Sequence, residues 1–167
     1  MNKLVIYLVA VLLIVMAFLS GYTGFFVAPS NPGNGDTGEI KTFTDNGGVV
    51  CDQNEKPVIR MFSTTWCPHC TWVGPTYDRI VKEYVDAGKI IAYHWKLDTG
   101  DNTLTEEVET EVPKSEVDLF SEFNPKSTIP TFVFGCRYYR IGTGYESQQD
   151  LDAEEAEFRT VIEKLLE

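Results

Sequence analysis

Cys67 and Cys70 stand three residues apart in Trp66-Cys67-Pro68-His69-Cys70, just after the apolar run Val58-Ile59-Arg60-Met61-Phe62-Ser63. Two thiols one helical turn apart can close and open an internal disulfide while the backbone scarcely moves. Where a strand hands over to a helix, the first thiol meets unpaired N–H groups and the positive end of the helix dipole, and both favour the thiolate. Pro68 suits the first turn, where its missing N–H would be unpaired anyway. His69 can add a donor or a positive charge close to the Cys67 sulfur. Two other chemistries compete for such a pair. Structural zinc normally uses a second closely spaced pair, and the remaining cysteines, Cys51 and Cys136, stand alone, so no metal site is expected. A plain structural disulfide does not need the Trp-Cys-Pro-His-Cys setting.

The elements that must hold this pair follow from the hydrophobic pattern. Residues 58–63 read as a buried central strand. Tyr77, Ile80, Val81, Tyr84 and Val85 recur at spacings of three and four, so residues 68–87 read as a helix stopped by Gly88 and kinked by Pro75. Residues 90–97 form a second strand, followed by a polar insert at 99–114 without a period. Ser115 with Asp118 caps a short helix carrying Val117, Leu119, Phe120 and Phe123. Residues 131–134 and 137–141 read as strands around a Gly135-Cys136 turn. Asp152 with Glu155 caps a last helix whose inner face is Phe158, Val161, Ile162, Leu165 and Leu166. From Ile40 onward the order β, helix, β, helix, β, β, helix predicts an α/β fold, a mixed central sheet flanked by helices.

Several of these features together resemble the thioredoxin superfamily: Trp66-Cys67-Pro68-His69-Cys70 after a hydrophobic strand, Pro75 eight residues past the first cysteine, Ile129-Pro130-Thr131 before another strand, and Gly142-Thr143-Gly144 near the end. The resemblance covers residues 39–167. The Pro-His pair between the cysteines is similar to DsbA-like oxidases, whereas the short plan resembles thioredoxin itself. The resemblance implies a thioredoxin-like fold and a redox pair Cys67–Cys70, with Pro68 and His69 shaping its chemistry. It also implies a cis Ile129–Pro130 peptide whose neighbourhood, with Trp66 and Thr131, binds an extended substrate. No cofactor is implied.

The pattern departs from the family in two places. Where the family commonly has a buried acid six residues before the first cysteine, this chain has Met61. His94, in the following strand, stands near the place of that acid's basic partner, and is either a proton-handling residue or a satisfied core histidine. The insert at 99–114 is far too short to be the helical domain of DsbA-like proteins and could edge the substrate face. Within the implied fold, residues 131–134 run antiparallel to 58–63, which brings Cys51 and Cys136 to the pole opposite the redox pair. A structural Cys51–Cys136 disulfide is expected there, worth on the order of 3 to 4 kcal/mol by chain entropy; the alternative is two unpaired thiols.

Composition limits the partners. The 167 residues carry 25 acids and 14 bases, a net charge of −11, and phosphate binding wants a basic stripe instead, so nucleic acid is excluded as a partner. Residues 99–122 hold net −7 and residues 145–167 net −6, leaving +2 elsewhere; solvated acidic faces are the expectation for both blocks. Residues 4–19 are sixteen uninterrupted apolar positions, and residues 4–28 are uncharged, about 37 Å as a helix, enough to cross a hydrocarbon core. Phe18-Leu19-Ser20-Gly21 fits a cleavage site poorly, so residues 1–28 are expected to be an uncleaved signal-anchor. Lys3 precedes the span, which puts the N-terminus in the cytoplasm. Residues 29–38, rich in Pro, Gly and Asn, read as a flexible linker, and residues 39–167 as an extracytoplasmic domain on a single-pass membrane protein.

The resulting expectation is an extracytoplasmic thiol-disulfide oxidoreductase that oxidises or exchanges disulfides in thiol-containing protein substrates, with a membrane redox partner such as a quinone-linked protein. The alternatives are a thiol reductase, including one of the cytochrome-maturation type, and a redox-inert peptide-binding module.

Overall fold

A computed structural model describes residues 38–167. The expected anchor and nearly all of the expected linker lie outside the described residues. Among those that are described, no helix is long and apolar enough to cross a membrane.

Among the described residues there are six strands: β1 Thr44–Asp45, β2 Asp52–Gln53, β3 Lys56–Ser63, β4 Ile91–Lys96, β5 Thr131–Phe134 and β6 Tyr138–Ile141. The helices among these residues are α1 Pro68–Asp86, α2 Lys114–Phe123 and α3 Leu151–Leu166, with a 3-10 turn at Glu146–Gln148. The main sheet runs β1-β6-β5-β3-β4, and β2 forms a short antiparallel ladder with the start of β3. β3 pairs parallel with β4, setting Met61 opposite His94 and Ser63 opposite Lys96. It pairs antiparallel with β5, setting Phe62 opposite Thr131. This register carries the end of β3 and the start of β5 to the same edge, where both halves of the expected site lie.

β3 is buried along nearly its whole length because both sheet faces are covered. On one face Ile59 and Met61 pack with Val73, Tyr77, Ile80 and Val81 of α1 and Phe158, Val161 and Ile162 of α3. On the other, Phe62 and Val133 pack with Trp95 and with Phe120 of α2. Arg60 lies within this strand, and its guanidinium grips Glu116 of α2 at 2.7 and 3.1 Å, so an ion pair ties β3 to α2.

The boundaries differ from the sequence reading at the caps and at the start. Asp150, not Asp152, caps α3 by accepting the Ala153 N–H at 2.9 Å, because the left-handed turn at Gln149 hands the chain over there. α2 begins at Lys114 after Pro113, without a side-chain cap at Ser115; Asp118 instead pairs with Lys114. Only Thr44–Asp45 of the first segment joins the sheet, and α1 continues as helix through Pro75. The insert bridges to the β4 edge through Asn102 and Trp95.

The acidic blocks are not simply solvated faces. Glu154 is fully buried and Glu157 nearly so. Glu154 pairs with buried Arg140 at 2.6 Å and accepts the N–H groups of Gly144 and Tyr145. Glu157 accepts the Thr42 hydroxyl at 2.6 Å. Buried charges persist where they are paired and hydrogen-bonded, and here those bonds hold the loop at residues 142–145 against α3.

Candidate active site

Cys67 is the N-cap of α1, in extended conformation (φ −83°, ψ 116°), and its sulfur accepts the Cys70 N–H at 3.2 Å. Pro68 follows in the first turn, and the Thr71 N–H and hydroxyl both bond the Cys67 carbonyl, at 3.0 and 3.1 Å. The helix start therefore points one backbone donor, the Cys70 N–H, at the first sulfur. Both cysteines are free thiols and buried, whereas Trp66 is 72 % exposed. The Cys70 thiol is pushed up to about 12, first by burial and then by the hydrogen bond and charge of Cys67; a Thr64 backbone hydrogen bond and the Lys96 charge oppose the rise.

The turn between β3 and α1 is fixed from below. Asp98, just past β4, accepts the Thr65 N–H at 3.1 Å and its hydroxyl, while the Leu97 N–H donates to the Ser63 carbonyl at 2.8 Å. These contacts set the height at which Trp66 and Cys67 leave the sheet.

Ile129–Pro130 is a cis peptide at the start of β5. Asn124, fully buried, donates to the Thr128 carbonyl at 2.6 Å and to the Thr131 hydroxyl at 2.7 Å, and that hydroxyl donates to the Thr128 carbonyl at 2.8 Å. The Pro130 carbonyl accepts the Gly142 N–H at 2.7 Å. Ile129 packs against the core cluster that contains Cys67 and Cys70. An open groove of about 590 Å³ runs along this edge, lined by His69, Ile129, Pro130, Gly142, Thr143 and Glu146 among others. Trp66 and the insert do not line it.

His69 faces this groove, not the Cys67 sulfur. Its Nδ1 lies 2.8 Å from Glu146, a carboxylate that also accepts the Thr143 hydroxyl at 2.8 Å. Glu146 escaped the sequence reading because it lies 77 residues from His69 with no local signal. His94 is 1 % exposed, with Nδ1 at 2.6 Å from Asp78 and Nε2 at 2.8 Å from the Ser63 hydroxyl. Burial lowers its pKa, with the Asp78 hydrogen bond acting against that. Asp78 reaches the ring from α1, where residues 70, 74 and 78 share one helix face.

At the opposite pole, Cys51 and Cys136 form a disulfide with Cα atoms 5.4 Å apart. The Cys51 N–H donates to the Gly135 carbonyl at 2.8 Å. Among the described residues, no cluster of three metal-ligating side chains is present.

Residues 42–123 match the family model described as Thioredoxin. No curated protein matches the chain. The matched segment contains β1 through α2, including Cys67 and Cys70, and supports the thioredoxin superfamily. The sheet with helices on both faces is a thioredoxin-like α/β fold, and the match points to function of the thiol-disulfide oxidoreductase type.

Proposed function

We propose that the protein is an extracytoplasmic thiol-disulfide oxidoreductase that works in the oxidising direction on protein substrates, held at the membrane by an anchor at residues 1–28 and a linker at 29–38. The observation that carries the redox reading is the Cys67 sulfur at the N-terminus of α1, bonded by the Cys70 N–H, on a helix start whose His69 lines the groove with Ile129 and Pro130. In the oxidised enzyme, a substrate thiolate attacks the Cys67 sulfur, and Cys70 leaves with the electron pair and takes up a proton. A second substrate thiolate then attacks the substrate sulfur of this mixed disulfide. Cys67 leaves as thiolate, the substrate gains a disulfide, and two electrons remain on the enzyme dithiol.

Direction depends on how well the reduced form is stabilised. The Cys70 N–H at the helix start stabilises negative charge on the departing Cys67 sulfur, which makes it a better leaving group and the disulfide a stronger oxidant. The disulfide at Cys51–Cys136 fits an oxidising compartment. Lys3 ahead of the apolar span supports placing residues 39–167 outside. Thiol-containing proteins are the substrates, and a membrane redox partner would reoxidise the pair.

Equilibrating the full chain with glutathione buffers tests the direction. The expected potential is about −120 to −200 mV, and a value below about −250 mV would replace the oxidase with a reductase. Protease added to intact cells should digest residues 39–167, and full protection would overturn the location.

A further inference from the structure

His94 and Asp78 form a buried pair that the exchange steps above leave unused. Asp78, as a carboxylate, can only accept, so the proton between them sits on His94 Nδ1 and leaves Nε2 with a lone pair. That lone pair faces the Ser63 hydroxyl at 2.8 Å and the Lys96 ammonium at 3.3 Å. The imidazole lies against α1 at Gly74, where a Cβ would stand 3.4 Å from its Cε1. Cys70, Gly74 and Asp78 follow one another at four-residue spacing on that helix face. The ring therefore has Asp78 on one side and, one turn the other way along the helix, Cys70.

The Thr64 backbone, next in sequence to Ser63, and the Lys96 charge both act against the rise that burial imposes on the Cys70 thiol. Asp78 and Lys96 are the charged groups that face His94. Tyr77 stacks edge-on at 5.7 Å with its hydroxyl committed to the Tyr93 carbonyl, and Asn102 takes the His94 backbone N–H.

We propose that the His94–Asp78 pair, acting through Ser63 and Lys96, is the proton acceptor and donor for Cys70. This inference rests on the redox reading of the Cys67–Cys70 pair. When Cys67 carries a mixed disulfide, the Cys70 thiol gives its proton to His94 Nε2, and the resulting imidazolium is held by Asp78. The thiolate then attacks the Cys67 sulfur, the Cys67–Cys70 bond forms, the bond to the substrate sulfur breaks, and the substrate leaves as thiolate. In the oxidising direction the pair takes a proton from solvent at the partly exposed Asp78 side and passes it to Cys70 as that sulfur leaves. After burial, the influences that raise the Cys70 thiol most are the hydrogen bond and the charge of Cys67; both fall away once Cys67 is in a disulfide, which eases transfer of the proton to the neutral imidazole. Burial, with the Lys96 charge behind it, keeps His94 neutral before the transfer, and the Lys96 charge favours the Cys70 thiolate.

The reduced full chain reacted with 5,5′-dithiobis(2-nitrobenzoate) separates the two cysteines. The first equivalent of thionitrobenzoate reports attack by Cys67, and the second reports attack by Cys70 on the Cys67 adduct. Two equivalents from the unaltered protein and one from Cys70→Ser uphold the redox reading by themselves; a single slow equivalent from the unaltered protein overturns that reading. His94→Gln should leave the first phase unchanged and slow the second at least about tenfold near pH 7. The unaltered second phase should level off above neutral pH, where His94 is already neutral, whereas that of His94→Gln should keep rising with pH. Asp78→Asn, at a partly exposed side chain on α1, should slow the second phase at least about threefold and decides the matter if His94→Gln does not fold. A second phase of unchanged rate and pH profile in the variants that fold overturns the proposal.

Discussion

The two cysteine pairs occupy opposite poles of β3 and differ in every respect that matters to a disulfide. Cys67 and Cys70 are three residues apart inside one helical turn, with a backbone N–H on the first sulfur. Cys51 and Cys136 are 85 residues apart, and their bond joins the segment before β2 to the turn between β5 and β6. A bond within one turn closes almost no loop, so opening it releases little chain entropy and the scaffold stays intact. A bond across 85 residues restricts the unfolded chain strongly. One pair is arranged to exchange and the other to hold, and that division follows from loop length and from what each sulfur touches.

The comparison can be broken at either pole. Cys67→Ser should lower turnover of a thiol substrate by at least about a thousand-fold, since the remaining thiol, Cys70, is 1 % exposed and pushed up to about 12. Retained function in that variant would favour a binding module. Replacing both Cys51 and Cys136 by Ser should cost about 2–5 kcal/mol of stability, read as a lower urea midpoint, with the potential of the other pair unchanged. A shift in that potential would show that the poles are coupled. The smallest effect is expected from His69→Val. Its side chain is 60 % exposed and its Nδ1 is held by Glu146, so the potential should fall by no more than about 30 mV and alkylation of Cys67 should slow slightly. An unchanged alkylation rate would remove His69 from the chemistry.

Local features were legible in the sequence. The apolar run of β3, the helical period of α1 and the cysteine spacing all depend on neighbours within one or two turns. The far-pole disulfide was legible at one remove, because antiparallel strand direction brings Cys51 and Cys136 together. What stayed hidden depends on partners distant in sequence. Glu154 and Glu157 read as solvent-facing because their counterion, Arg140, lies in a strand where nothing marks it as buried. His69 looked free to approach Cys67 because Glu146 is brought to it by the loop after β6, which Glu154 anchors. His94 was visible as a residue without an assigned partner, and Asp78 supplies that partner only once β4 and α1 are packed.

The central claim is that one pair works while the other holds. Differential alkylation and peptide mapping of the full chain across a graded series of glutathione buffers tests it directly. Cys67 and Cys70 should pass from disulfide to dithiol within the range of about −120 to −200 mV, while Cys51–Cys136 stays closed throughout. Reduction of both pairs over the same range, or of Cys51–Cys136 first, would contradict the account.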